Sequence, residues 1–512
     1  MSFNRTRAAL LLILLVYFVL ASLYAVYTPA WQAPDEPAHY NYVRYLAENG
    51  RFPVLQQGDY AQAYLNQITA ARFPPDMSID SLRYESHQPP LYYLLAAPMY
   101  RLFDNAPGPW ATPAPGLLAL RLFSVLQGAG IILLGYAVAR RIFPARPSLA
   151  LGTAAFIAFL PRNLAAAAQA GNDTLAELLL AAVLLALVEW VLSAGASSPG
   201  KPAPVRRLVW LGVLLGLIAL TKTTAYFALA LILGVLAWDW RRQRADAGRI
   251  VRDLCLVGLP AALLALPWYA RDLHVYGWPD FLGLRRHDLI VVGQLRPADY
   301  LALHGWGAYV RQLVIETFES FWAVFGWMGV FIDVRIYQAL ALLSLAVAGG
   351  LALHERQARS RAALTAGQRL ALRVLAASAV FSVLVYAWYN GQFVQFQGRY
   401  LFTALIPVAI AFGLGWDQAL RSPGNLRLVA GGLLVLAVAL AGWGLLAAHS
   451  LPKWPIAMAL LGSAILAGCS CVSCAESRSA RLLNGLMFAA PYAGLSLLAV
   501  YALFGAIVPQ LG

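Results

Sequence analysis

Residues 8–27 read AALLLILLVYFVLASLYAVY, and residues 31–53, close behind them, read WQAPDEPAHYNYVRYLAENGRFP. The first stretch carries no charge over a length that crosses the hydrocarbon core of a bilayer as a helix. The second sets Asp35, Glu36 and His39 at the mouth of that span. Acidic groups beside hydrocarbon are costly, and such groups point to function.

The rest of the chain repeats the first stretch. Of 512 residues, 60% are hydrophobic and 12% charged, against about 25% charged in ordinary soluble domains. The chain is read as an all-α polytopic membrane protein. A β-barrel is excluded, because barrel strands alternate over segments of about 10 residues and these runs are continuous. The net charge of +14 comes from 38 Lys+Arg against 24 Asp+Glu. It is read as the positive-inside bias, and no nucleic-acid partner is expected.

Thirteen spans are expected, near 8–27, 116–139, 148–163, 174–193, 208–221, 224–240, 254–270, 336–353, 370–388, 400–416, 428–448, 455–470 and 484–508. Residues 1–27 are expected to remain as a signal anchor, since the apolar run is too long and aromatic for a cleaved signal. The basic connections, among them ARRIFPARP, RRQRADAGRIVRD and HERQARSRAALTAGQR, fall on the side of the N-terminus, which is therefore cytoplasmic. The other side holds a first loop at 28–115 and a second at 271–335, separated by the spans of 116–270 and followed by those of 336–512. Most of the carboxylates lie on that outer side. The runs 89–103 (PPLYYLLAAPMYRLF) and 315–335 (IETFESFWAVFGWMGVFIDVR) are taken as interfacial rather than spanning. GVLLG at 212–216 fits a close contact between helices. Cys469, Cys471 and Cys474 lack a neighbouring His to complete a zinc site, so they are read as small residues at a helix end. There is no Walker A pattern, no Rossmann fingerprint and no fixed-period repeat.

Five polar clusters gather on the outer face. Asp35 precedes Glu36-Pro37 and a short helical pattern that stops at Asn49-Gly50, so Asp35 is expected as its N-cap. Helical spacing would put Asp35, Glu36 and His39 on one face, and two carboxylates exceed what a cap requires. Glu85, His87 and Gln88 precede Pro89-Pro90, either as a plain turn or as a helix start that favours an anion. Asp173, in GNDTLAE, either caps a span or joins the outer site. Lys222, in ALTKTTAYF, either snorkels to the interface or holds a phosphate. Arg399 and Tyr400, in FQGRYL, either anchor a span or grip a phosphate. Asp35, Glu36, His39 and Asp173 also make a possible divalent-cation set, with no cofactor committed.

The stretches PDEPAHYNYVRYLAENGRFP, HQPPLYYLL, RLFSVLQGAGIILLGYAVARRIFP, GNDTLAELLLA, LTKTTAYF and QGRYL, in this order, resemble the GT-C superfamily of integral-membrane glycosyltransferases. The likeness is to the branch of protein O-mannosyltransferases, the lipid A aminoarabinose transferase and the RgtA/B/C/D-like enzymes. It covers the first half of the chain well. The resemblance implies a GT-C bundle without a soluble C-terminal domain. It implies transfer of a sugar from a polyprenyl-phosphate donor to a glycan, lipid or protein hydroxyl, on the extracytoplasmic face of a bacterial inner membrane, with inversion. It places the base at Asp35 and a second catalytic acid at Glu36, with His39, His87, Gln88, Asp173, Lys222, Arg399 and Tyr400 toward substrate. His87-Gln88 stands where the aminoarabinose branch has Glu-Lys, which removes one phosphate-binding Lys. The rival readings are a secondary transporter or lipid flippase, whose charges would lie at the midplane, and a non-catalytic assembly subunit.

Overall fold

The computed structural model describes residues 3–104, 114–196, 203–361, 364–447, 450–473 and 478–512. In chain order its helices begin with α1 (Phe3–Tyr27), α2 (Glu36–Asn49), α3 (Gln62–Ala70), α4 (Leu91–Phe103), α5 (Pro115–Ile142), α6 (Pro147–Phe159) and α7 (Pro161–Ala167). They continue with α8 (Asp173–Ala196), α9 (Val205–Ala219), α10 (Ala228–Gln243), α11 (Ala247–Tyr276), α12 (Leu284–Ile290) and α13 (Pro297–Ala323). The last group is α14 (Val334–Arg361), α15 (Ala366–Asn390), α16 (Leu405–Leu420), α17 (Pro423–Leu446), α18 (Lys453–Ser473), α19 (Arg478–Tyr501) and α20 (Val508–Leu511). One antiparallel hairpin, β1 (Val324–Phe325) with β2 (Val330–Phe331), is the only sheet among the described residues.

Among the described residues, eleven helices are long and apolar enough to cross a membrane, and α6 with α7, bent by 65°, makes a twelfth if the pair is one span. The expected thirteenth, at 208–221, falls on α9, which has 15 residues. At 1.5 Å per residue such a helix rises only about 22 Å, short of the roughly 30 Å core. It packs along α11, with its first turn beside the end of α8 and its last turn beside the start of α8. A Cβ on Gly212 would stand 2.3 Å from the Val257 carbonyl oxygen, and one on Gly216 would stand 3.0 Å from Leu264. The two glycines thus let the helices touch, as their spacing predicts.

α1 shows why the bundle coheres. Leu11, Leu12, Leu15 and Val19 face outward while Tyr17, Leu20, Ala21, Tyr24 and Ala25 are buried. The buried Tyr17 hydroxyl donates to the Val125 carbonyl at 3.0 Å, and that of Tyr24 to the Ala499 carbonyl at 2.8 Å. A phenol in an apolar core needs such a partner. The two bonds fasten α1 to α5 and to α19.

The outer loops fold onto each other. The 89–103 run forms α4, whose 13 residues are too few to span. Its Tyr92, Tyr93, Ala96 and Tyr100 pack with Tyr42, Val43 and Leu46 of α2 and Leu117 and Leu120 of α5. Leu55, Tyr60, Leu65, Ile68 and Leu82 of the first loop make a second core with Ile290 and Val291 of the second loop. The expected interfacial segment 315–335 divides in two: the end of α13, which is kinked at Gly305, and the β-hairpin. Cys469 and Cys471 are unbonded in α18, and Cys474 lies outside the described residues.

Candidate active site

Asp35, His87, Gln88, Lys222, Arg399 and Tyr400 line one cavity of about 850 Å³, to which both long loops contribute. Glu36, His39 and Asp173 are not among its lining residues.

Asp35 precedes α2 with φ 69° and ψ −10°, the left-handed region that a residue with a Cβ rarely adopts. Its side chain makes no capping bond. The expected N-cap is therefore overturned: the backbone turns the carboxylate away from the helix axis and into the cavity. There Oδ2 accepts from Arg399 Nη2 at 2.6 Å and Oδ1 accepts from the Tyr84 hydroxyl at 3.1 Å. Burial pushes the Asp35 carboxyl up, but the Arg399 guanidinium outweighs it and holds the group below its ordinary value.

Glu36 points the other way and is fully buried. Its Oε1 accepts from Arg121 Nε at 2.8 Å and from the Ala170 N–H at 3.2 Å. Its Oε2 accepts from Arg121 Nη2 at 2.6 Å and from the Trp31 N–H at 3.2 Å. Arg121 also donates to the carbonyls of Ala25, Thr28 and Pro29. Asp35, Glu36 and His39 therefore do not share a face. Helical spacing predicts that they should, but the left-handed residue before the first turn sends the two adjacent carboxylates apart. His39 is buried, with Nδ1 in a 2.8 Å hydrogen bond to the Tyr93 hydroxyl. Burial holds its pKa below the ordinary value.

Lys222 does not snorkel outward. Its Nζ lies 2.6 Å from Asp173 Oδ1. Burial lowers its pKa, but Asp173 and Glu85 more than offset this and the ammonium is favoured. Asn172, next to Asp173, donates from Nδ2 to Gln88 Oε1 at 3.3 Å and to the Thr221 carbonyl at 3.1 Å. These bonds tie the starts of α4 and α8 to the end of α9. The Leu91 N–H donates to the Leu220 carbonyl at 2.9 Å. That first-turn donor of α4 meets the carbonyl end of α9, so it is not offered to an anion as the Pro-Pro start suggested. His87 Nδ1 donates to the Tyr84 carbonyl at 3.1 Å, and its ring lies 4.7 Å from that of His287. Burial takes His87 down to about 4 and His287 to about 3, so both rings are neutral at pH 7.

Arg399 is held from two sides, donating from Nε to Gln397 Oε1 at 2.8 Å and stacking its guanidinium 5.1 Å from the Tyr400 ring centroid. Its Nη1 is buried without a hydrogen-bond partner among the described residues.

Tyr84, Glu85 and Trp327 also line the cavity and were not singled out as site residues from the sequence. Glu85 belongs to the polar cluster ahead of Pro89-Pro90, and burial pushes its carboxyl above the ordinary value. Trp327 stands at the hairpin tip, where Gly326, Trp327 and Met328 all have positive φ, and its indole N–H donates to the Trp31 carbonyl at 2.9 Å. No local sequence pattern announces that contact. The possible cation set is not assembled: Asp35, Glu36, His39 and Asp173 each face a different partner. No group of three or more His, Cys, Asp or Glu among the described residues is arranged to hold a metal.

Residues 45–276 match the family described as dolichyl-phosphate-mannose-protein mannosyltransferase. The fold resembles that of ArnT from Cupriavidus metallidurans bound to undecaprenyl phosphate, at 18% identity and a TM-score of 0.50, covering 100% of this chain and 77% of that one. The Archaeoglobus fulgidus oligosaccharyltransferase aligns at 14% identity over 90% of this chain and 56% of its own, with a TM-score of 0.46. The S. cerevisiae protein O-mannosyltransferase Pmt1-Pmt2 complex bound to the sugar donor aligns at 17% over 53% and 34%, with a TM-score of 0.36. No curated protein matches the sequence. Its apolar helices make the chain a multi-pass membrane protein. Its likeness is to the mannosyltransferase family over residues 45–276 and to the fold of ArnT, the side to which the motifs point.

Proposed function

We propose that this protein transfers a sugar from a polyprenyl-phosphate carrier to an acceptor hydroxyl on the outer face of a bacterial inner membrane. The observation that carries the reading is the Asp35–Arg399 pair on the cavity wall, 2.6 Å apart, with Lys222 lining the same cavity. It supports a carboxylate as the group that takes the proton of a hydroxyl, with two cations nearby for the charge that a phosphate gains. ArnT has been seen with undecaprenyl phosphate, which supports a lipid-linked donor here.

In the proposed step Asp35 takes the proton of the acceptor hydroxyl while its oxygen attacks the anomeric carbon. The bond from that carbon to the phosphate oxygen breaks, and the polyprenyl phosphate leaves with the electron pair. Attack opposite the leaving group inverts the anomeric centre. The leaving phosphate needs no proton, but it gains negative charge. Arg399, through its unpartnered Nη1, and Lys222 meet that charge in a water-poor site, where such stabilisation is large. Tyr84 and Arg399 Nη2 hold the Asp35 carboxylate in place. Glu36, locked to Arg121, is assigned to holding the start of α2 rather than to chemistry.

The test is transfer of radiolabelled sugar from a panel of polyprenyl-phosphate donors by the purified protein in lipid, with membrane extract as acceptor. Transfer by the wild type and not by Asp35→Asn is the expected result. Movement of intact labelled carrier across a sealed bilayer, with no transfer, would replace the enzyme by a flippase.

A further inference from the structure

The proposed chemistry uses one side of the cavity. The opposite side, between α3 and the 291–296 loop, carries polar side chains that the step above leaves idle. Gln294 Nε2 donates to the Tyr60 hydroxyl at 3.4 Å, that hydroxyl donates to Gln62 Oε1 at 2.5 Å, and Gln62 Nε2 donates to Asn66 Oδ1 at 2.7 Å. All four residues line the cavity. Gln62 and Asn66 are one helical turn apart on α3 and share its face. Gly293, at φ 95°, packs the loop onto them, since a Cβ there would stand 3.0 Å from Gln62. Gln294 Oε1 is buried with no hydrogen-bond partner among the described residues, and a buried acceptor left unpaired invites a donor.

The row is joined to the base. The Tyr60 ring meets that of Tyr84 edge to face at 5.4 Å, and the Tyr84 hydroxyl reaches Asp35 at 3.1 Å. A ligand with one hydroxyl at Asp35 therefore lays its next groups across Tyr84 and Tyr60 and ends among the amides.

The chemistry of the row is neutral and two-sided. Each amide offers a donor and an acceptor, and the phenol offers both. A sugar hydroxyl is also both. A phosphate only accepts and is best held by cations, and the row contains none. Lys222 and Arg399, assigned above to the donor phosphate, are not part of the row. The aromatic faces provide an electron-rich wall for the C–H side of a sugar ring.

We infer that this row is the acceptor subsite and that it takes a neutral sugar unit, one free hydroxyl of which is presented to Asp35. The inference rests on the glycosyltransferase reading and names its acceptor class.

The experiment uses the full chain in lipid nanodiscs with a radiolabelled polyprenyl-phosphate sugar. Three acceptors compete: neutral hexose trisaccharides, a phosphorylated glycolipid, and a peptide rich in Ser and Thr. Transfer to the trisaccharide is expected. Gln62→Leu and Gln294→Leu should each raise its KM roughly tenfold, while the donor KM moves by less than about twofold. Transfer only to the phosphorylated glycolipid or only to the peptide would overturn the inference and leave the glycosyltransferase standing. Equilibrium dialysis of tritiated trisaccharide without donor separates the two claims. Saccharide binding weakened by Gln62→Leu, in a protein that consumes no donor, would keep the subsite and remove the enzyme. Donor consumption without saccharide binding would do the opposite.

Discussion

Asp35 and Arg399 are 364 residues apart in sequence and 2.6 Å apart in space, with the carboxylate accepting from Nη2 of the guanidinium. The contact joins the start of α2, in the first outer loop, to the short turn Gly398–Ala404 that enters α16. In the proposed step it sets the base and the cation for the leaving group in one pair. The Arg side chain is 5% exposed and the Asp side chain 27%, so the Asp is the more open partner of the two.

Asp35→Asn keeps the size and a hydrogen-bond acceptor for Tyr84 but cannot take a proton. General-base help contributes about 10²–10⁴-fold, so kcat should fall by that factor while the donor KM changes little. Steady-state transfer with varied donor measures both. Full turnover in Asp35→Asn would remove the base from this position.

Arg399→Lys keeps the charge and loses the fork. Lys is a point charge on a flexible stem and cannot bond Asp35, Gln397 and a phosphate together. A hydrogen bond to a charged group contributes about 1.5–3 kcal/mol, and each 1.4 kcal/mol is tenfold. The expected loss in kcat/KM for donor is thus roughly 10–100-fold. Unchanged kinetics in Arg399→Lys would show that the separate donors of the guanidinium are not used.

The residues that line the cavity were legible because each belongs to a short polar cluster on an otherwise apolar chain. Asp35, Lys222 and Arg399 needed only to be placed on the same side of the membrane. The direction of each side chain was not legible. Helical spacing assumes helical backbone, and Asp35, at φ 69°, breaks that assumption one residue before Glu36. Arg121 was visible as a charge inside the expected span 116–139, the one signal that Glu36 would be taken by a partner. α9, expected as a span, is a 15-residue apolar helix packed on α11. α13 was not expected as one helix, because polar residues interrupt its apolar run and Gly305 kinks it.

The pH profile follows from the direction of the Asp35 shift. The base must be ionised to accept a proton. Burial would raise its pKa, but Arg399 keeps it below the ordinary value, so it stays charged as pH falls. Burial holds His39 low, so its ring remains neutral over the same range. kcat/KM should therefore be flat from about pH 8 to pH 5, with an acid limb below the ordinary Asp value of about 3.9. An acid limb centred near 6.5, the ordinary value for His, would transfer control from Asp35 to a histidine.

Glu36 and Arg121 should govern stability, and unequally. Both side chains are fully buried and meet at 2.6 Å. Removing one member of a buried pair strands the other and costs about 3–5 kcal/mol. Arg121→Met strands the Glu36 carboxylate and also the carbonyls of Ala25, Thr28 and Pro29. Glu36→Gln keeps an acceptor oxygen for Arg121 and strands no backbone carbonyl. Thermal unfolding in detergent should therefore rank Arg121→Met well below Glu36→Gln. The double variant should lose less than the two losses added, because the second change removes the charge that the first left unpaired. Loss of transfer in Glu36→Gln should track loss of folded protein. If a fully folded Glu36→Gln enzyme had kcat as low as Asp35→Asn, Glu36 would return to the chemistry, which its bonds to Arg121, Trp31 and Ala170 now argue against.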